Sequence, residues 1–323
     1  MKLVAYESGK QPALGVVVKD LIIGVGPAIQ LLQKKRAPRA LAQRANFKST
    51  AKRVLDAGAA PKDMIELLGR GRAWGKSLAT ITSALAKEMD SAKAPKGLFT
   101  PLAKARLLAP IPKPEKIVCV GMNYADHARE QGHEPPKSPI LFLKSVNAIC
   151  GPGDPIHLPP NSSQVDYEAE FAVVIGKRGS RIPEDKAYDY VGGYMVLHDV
   201  SARDLQFADG QWYRGKSCDT FAPTGPWIVT PDEIKDPHKL RISMTLNGEV
   251  MQDSNTSNLI FSVPYLISYL SQSATWEVGD LISTGTPPGV GVFRKPPVFL
   301  KGGDTVSVTV EGLGTLTNPV VGA

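Results

Sequence analysis

The stretch Val165-Asp166-Tyr167-Glu168-Ala169-Glu170-Phe171-Ala172-Val173-Val174-Ile175 decides how this chain is read. Its first half carries an acid at every second position, and its second half is an apolar, β-branched run. Read as one β-strand, it projects Asp166, Glu168 and Glu170 from the same side, because side chains alternate faces along a strand. Asp and Glu are poor strand formers, and like charges on one face repel. Three together need a compensating cation or abundant water. The apolar flank Phe171-Ala172-Val173-Val174-Ile175 argues against full solvation, so a metal site is preferred to a solvated acidic edge.

Working outward, a further acid, Asp199, closes the apolar run Gly192-Gly193-Tyr194-Met195-Val196-Leu197-His198. Glu168, Glu170 and Asp199 make an all-oxygen set, which selects a hard divalent cation: Mg²⁺, Mn²⁺ or Ca²⁺. Asp166 is expected to be peripheral, an acid of the loop or one that backs a ligand.

Upstream, Gly121-Met122-Asn123-Tyr124-Ala125-Asp126-His127-Ala128-Arg129-Glu130 follows a strand. A short helix there puts His127 and Glu130 on one face at i, i+3. A histidine held by a carboxylate is the common form of a general base. The spacing also describes an incidental ion pair on a surface helix, and taken alone the stretch favours that. The next residues, Gly132-His133-Glu134-Pro135-Pro136, form a turn suited to a lid.

Downstream of Asp199, Arg203 offers a bidentate clamp for a substrate carboxylate, or a partner for Asp204 or another neighbour. Gly210-x4-Gly215-Lys216-Ser217 formally matches a phosphate loop. Such a loop must follow a buried strand, and residues 204–209 contain no apolar run, so nucleotide binding is rejected. Lys216 reads instead as a cation aimed at a developing oxyanion. Ser283-Thr284-Gly285-Thr286-Pro287-Pro288-Gly289-Val290-Gly291 is either a tight turn and no more, or one offering backbone N–H groups and the Thr286 hydroxyl to an anion.

A chain of 323 residues predicts two domains, and Pro110-Ile111-Pro112-Lys113-Pro114 is a stiff extended linker between them. Residues 1–110 read as a small α+β domain: a hairpin or meander to about residue 25, then helices at 28–35, 51–68 (restarting at Pro61) and 77–89. Residues 115–323 read as short strands at 116–120, 140–144, 170–175, 190–198, 227–230, 241–246, 281–284 and 305–310, with a helical insertion at 262–270. That pattern predicts a mixed, β-rich α+β fold, closed or rolled.

Hydrophobic content of 42% and charged content of 21% suit a globular protein with a sizeable core. The net charge of +7 comes from 38 Lys+Arg against 31 Asp+Glu. Much of the excess is scattered over helical faces of the first third, with no basic tract interleaved with aromatics, so no nucleic-acid partner is expected. Cys119, Cys150 and Cys218 are unpatterned and fit reduced thiols. No apolar run approaches the ~20 residues of a membrane span. The first residues carry an early acid and no apolar core of a leader, so no presequence and a cytoplasmic location are expected.

Taken together, the motifs resemble the fumarylacetoacetate hydrolase family, in its branch of fumarylacetoacetate hydrolase domain-containing proteins. The carriers are VCVGMNYADHARE (118–130), VDYEAEFAVVIGKR (165–178), DYVGGYMVLHDVSARDLQ (189–206), GKSCDTFAPTGPWIV (215–229) and DLISTGTPPGVG (280–291). GVFRKPPVFLKGGD (291–304) looks like the members associated with oxaloacetate and acylpyruvate chemistry. The resemblance implies a rolled β-sandwich, a homodimer, and Mg²⁺ or Mn²⁺ held by Glu168, Glu170 and Asp199. It implies a His127–Glu130 dyad on a closing lid and a pocket lined by Arg203, Gln206, Lys216 and Thr286. The aspartate that adds a metal contact in the founding hydrolase has no counterpart around Met122-Asn123, which leaves that position to water. The expected activity is metal-dependent C–C hydrolysis of a 2,4-dioxo acid, a small-molecule substrate. The alternative is an oxaloacetate tautomerase or decarboxylase, or a 2-hydroxymuconate-type isomerase, on the same metal site.

Overall fold

In this computed structural model, which describes residues 1–43, 45–130, 132 and 134–322, the chain divides into two units, Met1–Leu108 and Ala109–Ala323. The first unit opens as a meander in which β1 (Lys2–Ser8), β2 (Gln11–Val18) and β3 (Leu21–Gly24) pair antiparallel. Helices α1 (Val25–Gln33), α2 (Arg39–Ala42), α3 (Ala45–Asp56), α4 (Met64–Gly69) and α5 (Gly71–Glu88) follow. β4 (Phe99–Pro101) then pairs with β3, and β5 (Leu107–Leu108) with β1. Helix α5 starts earlier than its apolar spacing suggested, because Trp74 extends the buried stripe Leu78, Ile81, Leu85 by one turn. Asp63 caps α4 by accepting from the Glu66 N–H at 2.8 Å.

The second unit begins with β6 (Ile117–Gly121), α6 (Ala125–Glu130), β7 (Ile140–Lys144), β8 (Ile149–Cys150) and β9 (Ile156–His157). Next come β10 (Val165–Asp166), β11 (Ala169–Ile175), β12 (Val191–His198), β13 (Ser201–Ala202), α7 (Arg203–Ala208) and α8 (Tyr213–Lys216). It ends with β14 (Ala222–Val229), β15 (Arg241–Leu246), β16 (Glu249–Asn255), α9 (Val263–Ser271), β17 (Leu281–Ser283), β18 (Thr305–Val310) and β19 (Gly314–Val321). One sheet runs β14-β12-β11-β17-β6-β7, and a second runs β16-β15-β18-β19-β9. The β17–β6 pair is parallel and its neighbours are antiparallel, so the unit is a mixed, sheet-rich α+β fold.

The two sheets share an apolar core. Phe171, Val173 and Ile175 of β11 meet Ile242 and Met244 of β15 and Val306 and Val308 of β18 in it. Strand alternation then puts Glu170 on the opposite face of β11. Among the described residues no helix is long and apolar enough to cross a membrane.

The opening stretch is not one strand. It breaks at Tyr167-Glu168, and β10 leaves the large sheet to pair with β13, Asp166 opposite Ser201. The reason is hydrogen bonding to the Asp166 side chain. Asp166 accepts from the N–H groups of Tyr167, Gly291 and Val292 at 2.8, 2.7 and 3.0 Å, partners that a continuous ladder would not supply.

Candidate active site

Three buried carboxylates meet where β11, the end of β12 and the break before β11 converge. Glu168, Glu170 and Asp199 each bring one oxygen to within 4.8 Å of the others. Asp199 is tied to the break by its N–H, which donates to the Glu168 carbonyl at 3.0 Å. Asp166 is also fully buried but lies outside this cluster and the cavity lining, and it backs Glu168 through the Arg203 that both acids share.

Three cations answer these four acids. Arg203 Nε donates to Asp166 Oδ2 at 2.8 Å and Arg203 Nη2 to Glu168 Oε1 at 2.7 Å. Lys216 Nζ bridges Glu168 Oε2 at 2.7 Å and Asp199 Oδ2 at 2.8 Å. Lys144 Nζ lies 2.5 Å from Asp199 Oδ1. Burial by itself would raise the Glu168 carboxyl, but Lys216 and Arg203 against it hold it well below the usual range. Burial would likewise lower Lys216, and Asp199 and Glu168 reverse that and raise it.

Glu170 is the exception. It accepts from the Ser283 hydroxyl and from the Gly285 N–H at 2.9 Å, and no Lys or Arg among the described residues pairs with it. Burial, then the charges of Asp199 and Glu168, push its carboxyl well above the usual range. When ionised, Glu170 carries a charge that no paired cation matches, beside two other hard oxygen donors. Each carboxylate oxygen has a second lone pair beyond its bond to Lys or Arg. The residues fit a divalent cation on both charge and donor type.

The cavity above this floor holds about 80 Å³. His127, 5% exposed on α6, lines it together with Glu168, Glu170, Lys216 and Thr286. His127 Nδ1 lies 2.8 Å from Glu130 Oε2, and Glu130 Oε1 accepts from the Gly289 N–H at 2.9 Å. His127 thus faces inward, and its i, i+3 partner Glu130, partly exposed, anchors it to the 283–291 turn. The lid turn 132–136 includes His133, which lies outside the described residues, as does residue 131. The outer wall is aromatic: Phe142 and Trp212 pack edge-on, centroids 5.3 Å apart. Gly121 makes room for Trp212, since a Cβ there would meet its ring at 2.6 Å.

Of the partners open to Arg203, the protein supplies Asp166 and Glu168, with Arg203 Nη1 donating to Gln206 Oε1 at 3.0 Å. Asp204 is bound elsewhere, accepting from Ser162 Oγ at 2.6 Å. The bond from Arg203 fixes the Gln206 amide, so its NH₂ end faces away from the arginine. Asn123 is spent on backbone, its amide donating to the Thr284 carbonyl at 2.7 Å and accepting from the Phe261 N–H at 2.8 Å.

Sequence reasoning passed over Lys144, His198, Gln252 and Trp212. The available signal for Lys144 was its position on the Ile140 and Phe142 face of β7, where alternation buries it. His198 is fully buried, and burial followed by the nearby Lys144 lowers its imidazole to about 3, so it is neutral.

This fold, with a buried acid cluster that could hold a metal beneath its cavity, defines a class of enzymes acting on small molecules. Residues 116–321 match the family described as fumarylacetoacetate (FAA) hydrolase C-terminal, and the chain belongs to that family. The bovine protein named oxaloacetate tautomerase FAHD2A, mitochondrial, is 51% identical over 263 residues, 81% of this chain and 80% of its own. Fumarylacetoacetate hydrolase from the psychrophile Exiguobacterium antarcticum superposes with a TM-score of 0.77 at 33% identity, covering 100% of both chains. The 5-carboxymethyl-2-hydroxymuconate delta-isomerase from Mycobacterium smegmatis does so at 0.70 and 34%, again covering 100% of both.

The expected cytoplasmic location is corrected by these relatives. The bovine protein, and others about as similar, are named mitochondrial, which conflicts with a cytoplasm-only assignment. Free thiols fit any reducing compartment and so do not single out the cytoplasm.

Proposed function

We propose that this enzyme interconverts the enol and keto forms of oxaloacetate or a closely similar 2-oxo diacid. The observation that carries the reading is one cavity lined both by His127, which is bonded to Glu130, and by Glu168 and Glu170, which cluster with Asp199. The name of the bovine relative, identical at half of the aligned positions, favours tautomerisation over C–C hydrolysis. Hydrolysis is the second reading, favoured by the Exiguobacterium neighbour, and needs the same floor plus a water activated by His127.

A Mg²⁺ or Mn²⁺ ion held by the three acids would supply Lewis-acid polarisation of the 2-oxo group and its neighbouring carboxylate. In the keto-to-enol direction His127 takes a proton from C3, the electron pair moves through C2 to the 2-oxo oxygen, and the His127 imidazolium then delivers the proton to that oxygen. Glu130, held by Gly289, orients the imidazole and stabilises its charged form. Lys216 spends two of its three hydrogens on Glu168 and Asp199, leaving a third for the developing oxyanion. The reverse direction returns the proton from His127 to C3. Gln206 and Thr286 hold the substrate's carboxylate ends. The enzyme works as a homodimer; supporting this, Leu141 and Leu143 are 39% and 51% exposed on β7, the end strand of its sheet.

The test is the decay of enol-oxaloacetate followed by absorbance, with products assigned by NMR, in the presence of Mg²⁺ or Mn²⁺. Acceleration without carbon–carbon cleavage is expected. Release of acetate and pyruvate from acetylpyruvate, with no acceleration of enol decay, overturns the proposal in favour of hydrolysis.

A further inference from the structure

Thr286 faces the cavity, and a side chain from the second sheet holds its hydroxyl in one polarity. Gln252, on β16, is 1% exposed. Its Oε1 accepts from the Ala169 N–H at 2.8 Å, and its Nε2 donates to the Pro287 carbonyl at 2.8 Å. Both partners are backbone groups of fixed character, one only a donor and one only an acceptor. The amide can therefore take just one of its two orientations.

The second hydrogen on Nε2 then meets Thr286 Oγ1 at 2.9 Å. The hydroxyl oxygen must accept that bond, so its own proton turns elsewhere. Among the described residues that proton has no protein acceptor, and Thr286, 6% exposed, lines the cavity beside the acids. Ala169 lies between Glu168 and Glu170 in the chain. One amide thus ties the hydroxyl to the strand that carries the acid floor.

We propose that Gln252 is a positioning residue that makes Thr286 an obligate hydrogen-bond donor into the cavity, aimed at an anionic oxygen of the bound oxo acid. The inference rests on the oxo-acid reading above and adds a specificity rule to it. A buried donor with nothing else to bond selects ligands that present an acceptor there and rejects those that do not. Gln252 touches no substrate and acts only through Thr286.

The test uses oxalate, whose two planar adjacent carboxylates mimic the enolate of a 2-oxo acid, titrated calorimetrically into the full chain with Mn²⁺. Gln252→Met and Thr286→Val are each expected to weaken oxalate about tenfold or more, the range for a bond to a charged acceptor. The double variant should be no weaker than Thr286→Val alone, because both changes remove one interaction. A merely structural role for Gln252 would instead add its loss to that of Thr286→Val. Should Gln252→Met not fold, Gln252→Glu keeps the shape and the acceptor for Ala169. It draws the Thr286 proton to itself and should match Thr286→Val. Unchanged affinity in the Gln252 variants, or additive losses, overturns the inference while leaving the oxo-acid reading intact. A wild-type protein that neither binds oxalate nor accelerates enol decay overturns both.

Discussion

The floor and the lid of this cavity are built in opposite ways. The floor is interior: Asp166, Glu168, Glu170 and Asp199 are each 6% exposed or less, and three cations are locked among them. The lid proposed over it is one short helix, α6, held to the 283–291 turn from His127 through Glu130 to Gly289. It is also held to β16 and the residues after it by Asp126, which accepts from Ser254 Oγ at 2.6 Å and Asn258 Nδ2 at 3.0 Å. A buried ionic network is costly to disturb, because breaking one pair strands the other charge away from water. A six-residue helix at the edge of the cavity costs less to disturb than such a network. Damage to the floor should therefore appear as lost stability or lost metal, and damage to the lid as lost rate with the fold intact.

The largest expected effect tests the lid. His127→Ala removes the group assigned to carry the proton, and a positioned general base contributes typically 10²–10⁴-fold. Enol decay should slow by about that factor, while the melting temperature and Mn²⁺ affinity stay near those of the wild type. A fall in melting temperature as large as that of a floor variant would erase the distinction. Next is the floor. Arg203→Met leaves Asp166 and Glu168 buried without their guanidinium, and breaking a buried pair costs about 3–5 kcal/mol. Denaturant unfolding should read this loss with or without metal. A variant as stable as the wild type would mean that the arginine serves substrate alone.

A smaller effect follows at the joint between the two regions. Glu130→Gln weakens the orientation of His127, a bond of about 1.5–3 kcal/mol for a charged partner, and should lower kcat about 10–100-fold. KM and stability should hardly move, since Glu130 is partly exposed on the lid.

The same division explains what could be read from the sequence. Glu168, Glu170 and Asp199 were legible because acids next to apolar strands violate local preference and so advertise a compensating partner. The strands β7, β12, β15 and β18 were legible from apolar runs or from apolar alternation. The strand β16 was not, because Glu249, Gln252, Asp253, Ser254 and Asn255 are poor strand formers carried by pairing with β15. Gln252 was lost with it. Lys144 looks like a polar strand end until Asp199, far along the chain, comes to meet it. The break at Tyr167-Glu168 was invisible because the groups that draw Asp166 out of register are N–H groups of Gly291 and Val292. Period and composition report on one element at a time, whereas these three features exist only between elements.

The last test separates charge from geometry within the floor. Glu170→Gln keeps the shape of the one acid that has no cation, and its amide can still accept from the Gly285 N–H through its carbonyl end. Without metal, removing a buried carboxylate that sits beside Asp199 and Glu168 relieves repulsion, so stability should be unchanged or slightly higher. This is the reverse of Arg203→Met, although both side chains are buried in one network. With metal the order inverts: the wild type should gain melting temperature on addition of Mn²⁺, since ligands that bind only the folded state stabilise it. Glu170→Gln should gain little, having lost the one charge that no internal cation offsets. Thermal denaturation across a Mn²⁺ titration measures both terms at once. A variant that is destabilised without metal, or that still responds to Mn²⁺ as the wild type does, would mean that the unmatched charge on Glu170 is not what the site holds in reserve for a cation.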